Sequence, residues 1–313
     1  MLLDRLAACR ATAALHQSHP DLTFSLLPWT LDRLGGDAWD VFHAGFSVMA
    51  ARYESLGLHR LLPLDRVWVG VRSSRAAAFG GFHHPDQGYR HLQMGAVVTR
   101  YGPLDRPAGS PALVALDLLR AYAHDCLHYG SCREYQMHDG RLVRTQYGFN
   151  RRDLNGRSYS APDTPDATTT RNLGVIMEGA TDREASSIAR QAAHRVGIAE
   201  PDGVDRFAFR DVVGRLTADD LTRLPAEQDD DAQRLTVNGF LAAMGSYARG
   251  VNRRYGAFLV EIGGAESETL HDLLLTAMIS GAVAPLSAWL GARHPGGFTN
   301  LFRAASYAGP EPA

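Results

Sequence analysis

Two histidines four residues apart are the clearest candidates for chemistry in this sequence. His124 and His128 stand in the segment Ala-His-Asp-Cys-Leu-His at positions 123–128. At this spacing two side chains lie one turn apart on the same face of a helix, so both imidazoles can reach one metal ion. A catalytic zinc ion commonly takes three protein ligands and keeps one position open. The pair therefore predicts two of the three ligands of a zinc site.

The surrounding sequence places these histidines in a polar stripe of an otherwise apolar helix. A helix is predicted over residues 112–129, with Pro111 at its first position. Asp117 and Arg120 precede the histidines at intervals of three and four residues. Buried polar groups need partners, and a metal ion would provide one for the imidazoles.

The third ligand is expected on a later helix, predicted over residues 172–195. The segment Met-Glu-Gly-Ala-Thr-Asp places Glu178 and Asp182 four residues apart, again on one helix face. A carboxylate beside a zinc site commonly accepts the free N–H of a ligand histidine and so orients the ring. The sequence therefore predicts Glu178 as the third ligand and Asp182 as the orienting group.

The two segments together resemble the gluzincin pattern of thermolysin-like zinc metallopeptidases, which is His-Glu-x-x-His on one helix and Glu-x-x-x-Asp on a later one. The resemblance covers roughly residues 90–195. It implies a zincin-like α+β fold, with His124, His128 and Glu178 as zinc ligands and Asp182 behind them. In that family a strand beside the active-site helix pairs with the substrate, and residues 91–100 are placed for this role.

One position departs from the family pattern. The family's catalytic base is a glutamate, whereas this sequence has Asp125 there. The aspartate carboxylate reaches about 1.5 Å less far, on ordinary bond lengths. Asp125 is predicted to take the proton from a metal-activated water, and its shorter reach makes a reaction other than peptide hydrolysis more plausible.

A donor for the developing oxyanion is also expected in such a site. Two tyrosines and two histidines in the C-terminal part of the chain are candidates for this role. Tyr255, in the arginine-rich segment Asn-Arg-Arg-Tyr, is chosen as the catalytic candidate. The candidates are Tyr247, Tyr255, His271 and His294.

The helices and strands predicted around these residues indicate an α+β fold: a small sheet beside the active-site helix, and a mostly helical C-terminal half. Residues 1–60 are interpreted as an N-terminal helical segment, residues 61–200 as the α+β catalytic region and residues 201–313 as a helical region. Strands are predicted over residues 67–71, 76–82 and 91–100. Hairpin turns are predicted at Asp139-Gly140 and Asn155-Gly156.

The composition of the chain excludes some kinds of chemistry and gives no sign of some kinds of partner. All 32 basic residues are arginine, which excludes lysine Schiff-base chemistry on this chain. A net charge of −2 gives no sign of a nucleic-acid footprint or a basic membrane patch. The N-terminus is charged and is followed by no apolar stretch long enough for a signal peptide or a membrane span. A cytoplasmic protein acting on a peptide or small-molecule substrate is expected.

Two other interpretations remain open. His124-Asp125 also resembles the metal dyad of HD-type phosphohydrolases, which are helical and need a further histidine on an earlier helix; the upstream histidines here lie in strand-like or turn-like sequence. Alternatively, Asp125 marks lost catalysis in a metal-binding or other binding domain. Of three cysteines, Cys126 is predicted to pack in the core, and Cys132 stays open as an alternative ligand.

Overall fold

The computed structural model describes most of the chain. The described residues are Ala13, Gln17, 20–74, 90–91, 103–105, 107, 109–154, 160, 163–223 and 244–303. Six strands lie among them: β1 Leu22–Leu26, β2 Val67–Ser73, β3 Arg90–His91, β4 Arg133–His138, β5 Arg141–Tyr147 and β6 Asn150–Arg151. The α-helices are α1 Leu27–Leu34, α2 Ala38–Ser55, α3 Pro111–Gly130, α4 Leu173–Val196, α5 Gly203–Val212, α6 Ala218–Arg223, α7 Arg254–Phe258, α8 Ser267–Ser280, α9 Ala284–Gly291 and α10 Gly297–Arg303.

The chain divides into two compact units, each built from separate stretches of sequence. The first comprises residues 1–51, 61–129 and 185–246, and the second comprises residues 52–60, 130–184 and 247–313. The division falls inside α2 and α4, so each of these helices contributes residues to both units.

The first unit contains a three-stranded sheet in the order β1-β2-β3. Strand β2 pairs antiparallel with β1 and parallel with β3. Val67, Val69 and Val71 are fully or almost fully buried, because alternate residues of a strand point to the same face. This face supplies the sheet's share of the core.

Helices of the first unit pack closely where a glycine removes a side chain. A Cβ at Gly45 of α2 would overlap the side chain of Leu119 and lie 3.0 Å from the Cβ of Ala192 on α4. Nearby, the rings of Phe42 and Tyr122 lie 5.6 Å apart, and the Tyr122 hydroxyl donates a hydrogen bond to the carbonyl of Leu62. Helix α3 is thus held in the core between its neighbours.

The second unit contains the antiparallel sheet β4-β5-β6. Its hairpin turns at Asp139 and Gly140, whose φ angles are 48° and 73°. Positive φ at both central residues is the requirement of a type I′ turn, which Asp-Gly satisfies at low cost. The predicted hairpin at this turn is confirmed.

A helical stretch of the second unit alternates between two hydrogen-bonding patterns. Residues Ala248–Arg253 and Leu259–Gly263 are π-helical and flank α7. We call this stretch the 248–263 helix. Insertions of π-helix are frequent at functional sites because they displace side chains from α-helical register.

The described chain is mixed helix and sheet, in agreement with the α+β expectation. The helices predicted over residues 112–129 and 172–195 are confirmed as α3 and α4. The sequence predicts a mainly helical segment over residues 1–60 and does not predict strand β1. The strand predicted over 76–82, most of that over 91–100, and the turn Asn155-Gly156 lie outside the described residues. Within the described residues, no helix has the length and apolarity that crossing a membrane requires.

Candidate metal centre

Helix α3 holds both histidines in the interior. From Val114 to His128 every residue except Arg120 is buried, and His124 and His128 are only 5% and 4% exposed. The predicted polar stripe is therefore a buried one. Arg120 lies 3.6 Å from Asp117 and 3.8 Å from Asp211, so the stripe's first turn forms an ionic cluster of its own.

The two imidazoles approach each other through their Nε2 atoms, which lie 2.9 Å apart. Two lone pairs at this distance would repel each other. The pair is stable only if one nitrogen carries a proton shared with the other, or if both lone pairs point at a cation. The 2.9 Å separation of His124 and His128 is therefore compatible with a shared proton and with a bound cation.

Glu178 of α4 completes a three-residue cluster. One donor atom from each of His124, His128 and Glu178 can be chosen so that all lie within 4.8 Å of one another. Glu178 is half-buried, whereas both histidines are buried. The structure therefore brings together the three residues that the sequence predicted as ligands.

The donor set fits a transition metal. Two neutral imidazole nitrogens and one carboxylate oxygen are a common ligand set of catalytic zinc, with bonds of about 2.0–2.2 Å. The cluster contains neither described cysteine.

The two described cysteines occupy other environments. Cys126 is fully buried, as core packing predicts. It lies beside Tyr122, where burial first and then the thiol raise the pKa of the tyrosine. Cys132 is half-buried, and its backbone N–H donates to the carbonyl of Met278. Burial raises the pKa of the Cys132 thiol, which disfavours the thiolate that a metal would need.

Helix α4 begins at a side-chain cap. The Asn172 Oδ1 accepts a hydrogen bond of 3.0 Å from the backbone N–H of Val175. Asparagine is among the best residues for this purpose, because the first N–H groups of a helix lack partners within it. This cap fixes the start of the helix six residues before Glu178.

Asp182 has a partner that the sequence did not reveal. Its Oδ2 accepts a hydrogen bond of 2.8 Å from the side-chain amide of Asn252. Asn252 belongs to the first π-helical segment of the 248–263 helix. The orienting role of Asp182 toward a histidine stays a prediction; the contact with Asn252 shows that its carboxylate is held in place.

Tyr255 packs directly against α4. A Cβ at Gly179 would overlap the Cβ of Tyr255 and lie 2.5 Å from its Cγ. Only glycine permits this approach, and it stands next to Glu178 in the chain. The close packing explains why the segment reads Glu-Gly-Ala.

The Tyr255 hydroxyl begins a buried chain of hydrogen bonds. It lies 2.7 Å from Nδ1 of His271, whose Nε2 lies 3.2 Å from Glu184. A carboxylate only accepts, so Nε2–H of His271 donates to Glu184, and Nδ1 of the neutral ring accepts from Tyr255. Arg52 closes the chain with two bonds to Glu184, of 3.0 and 3.1 Å. Arg52 also contacts Asp272.

These contacts and the burial of the site shift the pKa values of two groups in this chain of hydrogen bonds. Burial alone raises the pKa of Glu184, but hydrogen bonds from His271 and Arg52 and the charge of Arg52 outweigh it and lower the pKa to about 2. Burial raises the pKa of Tyr255 well above its ordinary value. At neutral pH Glu184 is therefore a carboxylate bound by Arg52, and Tyr255, at the other end of the hydrogen-bond chain, is neutral.

The depressed pKa of Glu184 predicts a stability loss in acid. Its contribution is complete above the ordinary value of 4.5 and disappears as pH falls from there through about 2. The shift corresponds to about 3 kcal/mol of unfolding free energy. Urea unfolding at a series of pH values should show this loss. The Glu184→Gln variant should be less stable at neutral pH and should depend less on pH; an unchanged pH profile would contradict the assignment.

The remaining candidates have distinct surroundings. Asp125 is buried, at 2% exposure. The His294 Nε2 lies 3.1 Å from the carbonyl of Ile262, and Tyr247 is half-buried. Sequence reasoning selected Tyr255 and His271 separately, but it did not find that they form one chain with Glu184 and Arg52.

No protein-family model matches the chain, and no match was found among curated proteins or solved structures.

Proposed function

We propose that this protein is a zinc-dependent hydrolase, with peptide or amide bonds as its first candidate substrates. The observation that carries the proposal is the cluster of His124, His128 and Glu178, in which two imidazole nitrogens lie 2.9 Å apart and a carboxylate oxygen is within reach. An N₂O donor set leaves coordination positions for water and substrate.

Each residue has a role in the proposed reaction. A bound zinc ion supplies a Lewis acid that polarises a substrate carbonyl and lowers the pKa of water. His124 and His128 would hold the ion through ring nitrogens, and Glu178 would hold it through a carboxylate oxygen. Asp125 accepts the proton from the attacking water and passes it to the leaving group.

Tyr255 remains the candidate donor to the oxyanion, with one requirement. Its O–H now faces His271 Nδ1 at 2.7 Å, so that hydrogen would have to leave the histidine to serve a substrate. In its present position Tyr255 acts on the site through Gly179, by holding α4 beside Glu178. Asp182, held by Asn252, is proposed to orient a ligand histidine.

A zincin-like arrangement is part of the proposal. Its support is the chain order: strand β2, then α3 with His-Asp-x-x-His, then α4 with Glu-x-x-x-Asp. The strands β2, β4 and β5 also favour this interpretation over an HD-type phosphohydrolase, which is helical in these regions. A metal-binding domain without catalysis is the remaining alternative.

The Asp125→Asn variant separates catalysis from metal binding. We expect it to keep one zinc ion per chain, because Asp125 is not a ligand. It should lose turnover by roughly 100- to 10,000-fold, the usual contribution of a general base. The measurement is zinc content together with rates on a panel of peptide and ester substrates.

Asp220→Asn is the matched control, since Asp220 is also buried but is paired with Arg210 outside the cluster. It should keep both metal and activity. An unchanged rate in Asp125→Asn would remove this residue as the base. A zinc-loaded wild-type protein that turns over no substrate in the panel would favour the non-catalytic alternative.

The metal must be identified by elemental analysis. Two histidines and one carboxylate also bind iron(II) in oxygenases. The short Nε2–Nε2 distance of 2.9 Å would also suit iron(II), which takes more ligands than tetrahedral zinc. Stoichiometric iron in protein purified without added metal, with zinc failing to support hydrolysis, would overturn the hydrolase proposal.

A further inference from the structure

A cleft in the first unit is lined by arginines. Its volume is about 450 Å³, within the size range of small-molecule sites. Its described polar lining comprises Arg190, Arg195, Arg215, His194 and Gln191, and none of the described lining residues is acidic. We propose that this cleft is a binding site for a small organic anion, a phosphoryl or carboxylate group attached to an apolar body.

The arginines of the cleft are paired differently from seven other described arginines. Arg52, Arg72, Arg171, Arg183, Arg210, Arg254 and Arg293 each contact a carboxylate. Within the part of the chain that the structure describes, Arg195 and Arg215 make no ion pair. Arg190 donates to the carbonyl of Val213 at 2.8 Å. The cleft therefore brings together two guanidinium groups, of Arg195 and Arg215, that no described carboxylate neutralises.

The C-terminal ends of two helices offset part of this positive charge, but not all of it. Helix α4 ends at Val196 and α5 at Val212, and a glycine with positive φ follows each, Gly197 at 72° and Gly214 at 66°. Each helix end carries about −0.5 of an elementary charge, roughly −1 together. The guanidinium groups of Arg195 and Arg215 carry +2, so an excess of about +1 remains.

The last carbonyls of these helices are also satisfied by backbone. The N–H of Ile198 donates to Ala193, and that of Arg215 donates to Arg210, as in the Schellman ending of a helix. The side chains of Arg195 and Arg215 are thus not needed to cap the helices. Their guanidinium groups are left to bind an external acceptor, for which their planar forks suit phosphate and carboxylate.

The floor of the cleft selects for an apolar body. Ala193, Phe209 and Val213 are buried, and Ile198 is half-buried. These side chains offer no hydrogen-bonding group, so the part of a ligand that reaches them gains by leaving water. An anion with an aromatic or aliphatic group satisfies both parts of the lining, whereas inorganic phosphate satisfies only one.

Calorimetric titration of the full chain with phenylphosphonate tests the proposal. Methylphosphonate provides the anion without the ring, and benzyl alcohol provides the ring without the anion. We expect saturable one-to-one binding of phenylphosphonate, weaker binding of methylphosphonate, and none of benzyl alcohol. Added salt should weaken the binding, since the attraction is electrostatic.

The double variant Arg195→Gln/Arg215→Gln should weaken phenylphosphonate binding by about tenfold or more, which corresponds to loss of charge-assisted hydrogen bonds. The matched control is Arg33→Gln/Arg141→Gln, which removes the same charge from exposed positions outside the cleft. It should bind like the wild type. Equal loss in both variants, or undetectable binding to the wild type, would overturn the proposal. Co-sedimentation with phosphatidate vesicles that requires Arg195 and Arg215 would replace the small molecule with a membrane surface.

Discussion

Replacement of His124 by alanine should leave the purified protein without stoichiometric zinc, and so should Glu178→Ala. Each change removes one of three donors, and a two-donor site cannot hold the ion against water and buffer at ordinary concentrations. Zinc per chain should fall from about one to near zero in both variants. Chelation should lower the melting temperature of the wild type, because the ion stabilises only the folded state.

A histidine outside the cluster provides the control for this experiment. His294→Ala removes an imidazole whose Nε2 contacts the carbonyl of Ile262, and it should retain zinc. Chelation should not change the melting temperature of His124→Ala. If both His124→Ala and Glu178→Ala kept a full equivalent of zinc, the metal centre would be refuted and the hydrolase proposal with it.

Replacement of Glu184 by alanine should destabilise the protein by about 3–5 kcal/mol, the usual cost of removing one partner from a buried ion pair. Glu184 is 5% exposed, and its loss leaves Arg52 and His271 without their common acceptor. Urea denaturation at neutral pH measures the effect. Tyr255→Phe, which removes one hydrogen bond of the same chain, should cost about 1 kcal/mol.

The control for Glu184 is a glutamate in an exposed ion pair. Glu266 contacts Arg293 at 2.6 Å, but its side chain is 50% exposed, and such pairs contribute less than about 1 kcal/mol. Glu266→Ala should therefore unfold close to the wild-type midpoint. Equal destabilisation by Glu184→Ala and Glu266→Ala would show that the buried hydrogen bonds of Glu184 contribute no more to the free energy of unfolding than an exposed ion pair.

Local patterns account for what the sequence could predict. The four-residue spacing of His124 and His128, and of Glu178 and Asp182, fixes each pair on one helix face. Pro111 marks the start of α3, and Asp139-Gly140 forms the expected turn. These signals need only a few neighbouring residues, so α3, α4 and the first hairpin follow from them. The convergence of the three donors was inferred from a family pattern, and spacing alone does not yield it.

The missed features depend on contacts between distant parts of the chain. Arg52 and Glu184 are 132 residues apart, and Asn252 is 70 residues from Asp182. Neither pair has a periodic signal. The π-helical segment that carries Asn252 changes side-chain register in a way that an α-helical pattern does not anticipate. Strand β1 is short and leads directly into α1, so its pattern merged with that of the helix.

Three acids of α4 have a fixed angular relation to one another, because they stand on one continuous helix. Glu178, Asp182 and Glu184 occupy about two turns of one continuous helix, and Asn252 and Arg52 hold the latter two. Inserting a single residue between positions 178 and 182 would rotate Glu178 by about 100° relative to the other two acids. Such an insertion should break the metal cluster while leaving both held acids in place, so the length of this part of the helix matters as well as the identity of its residues.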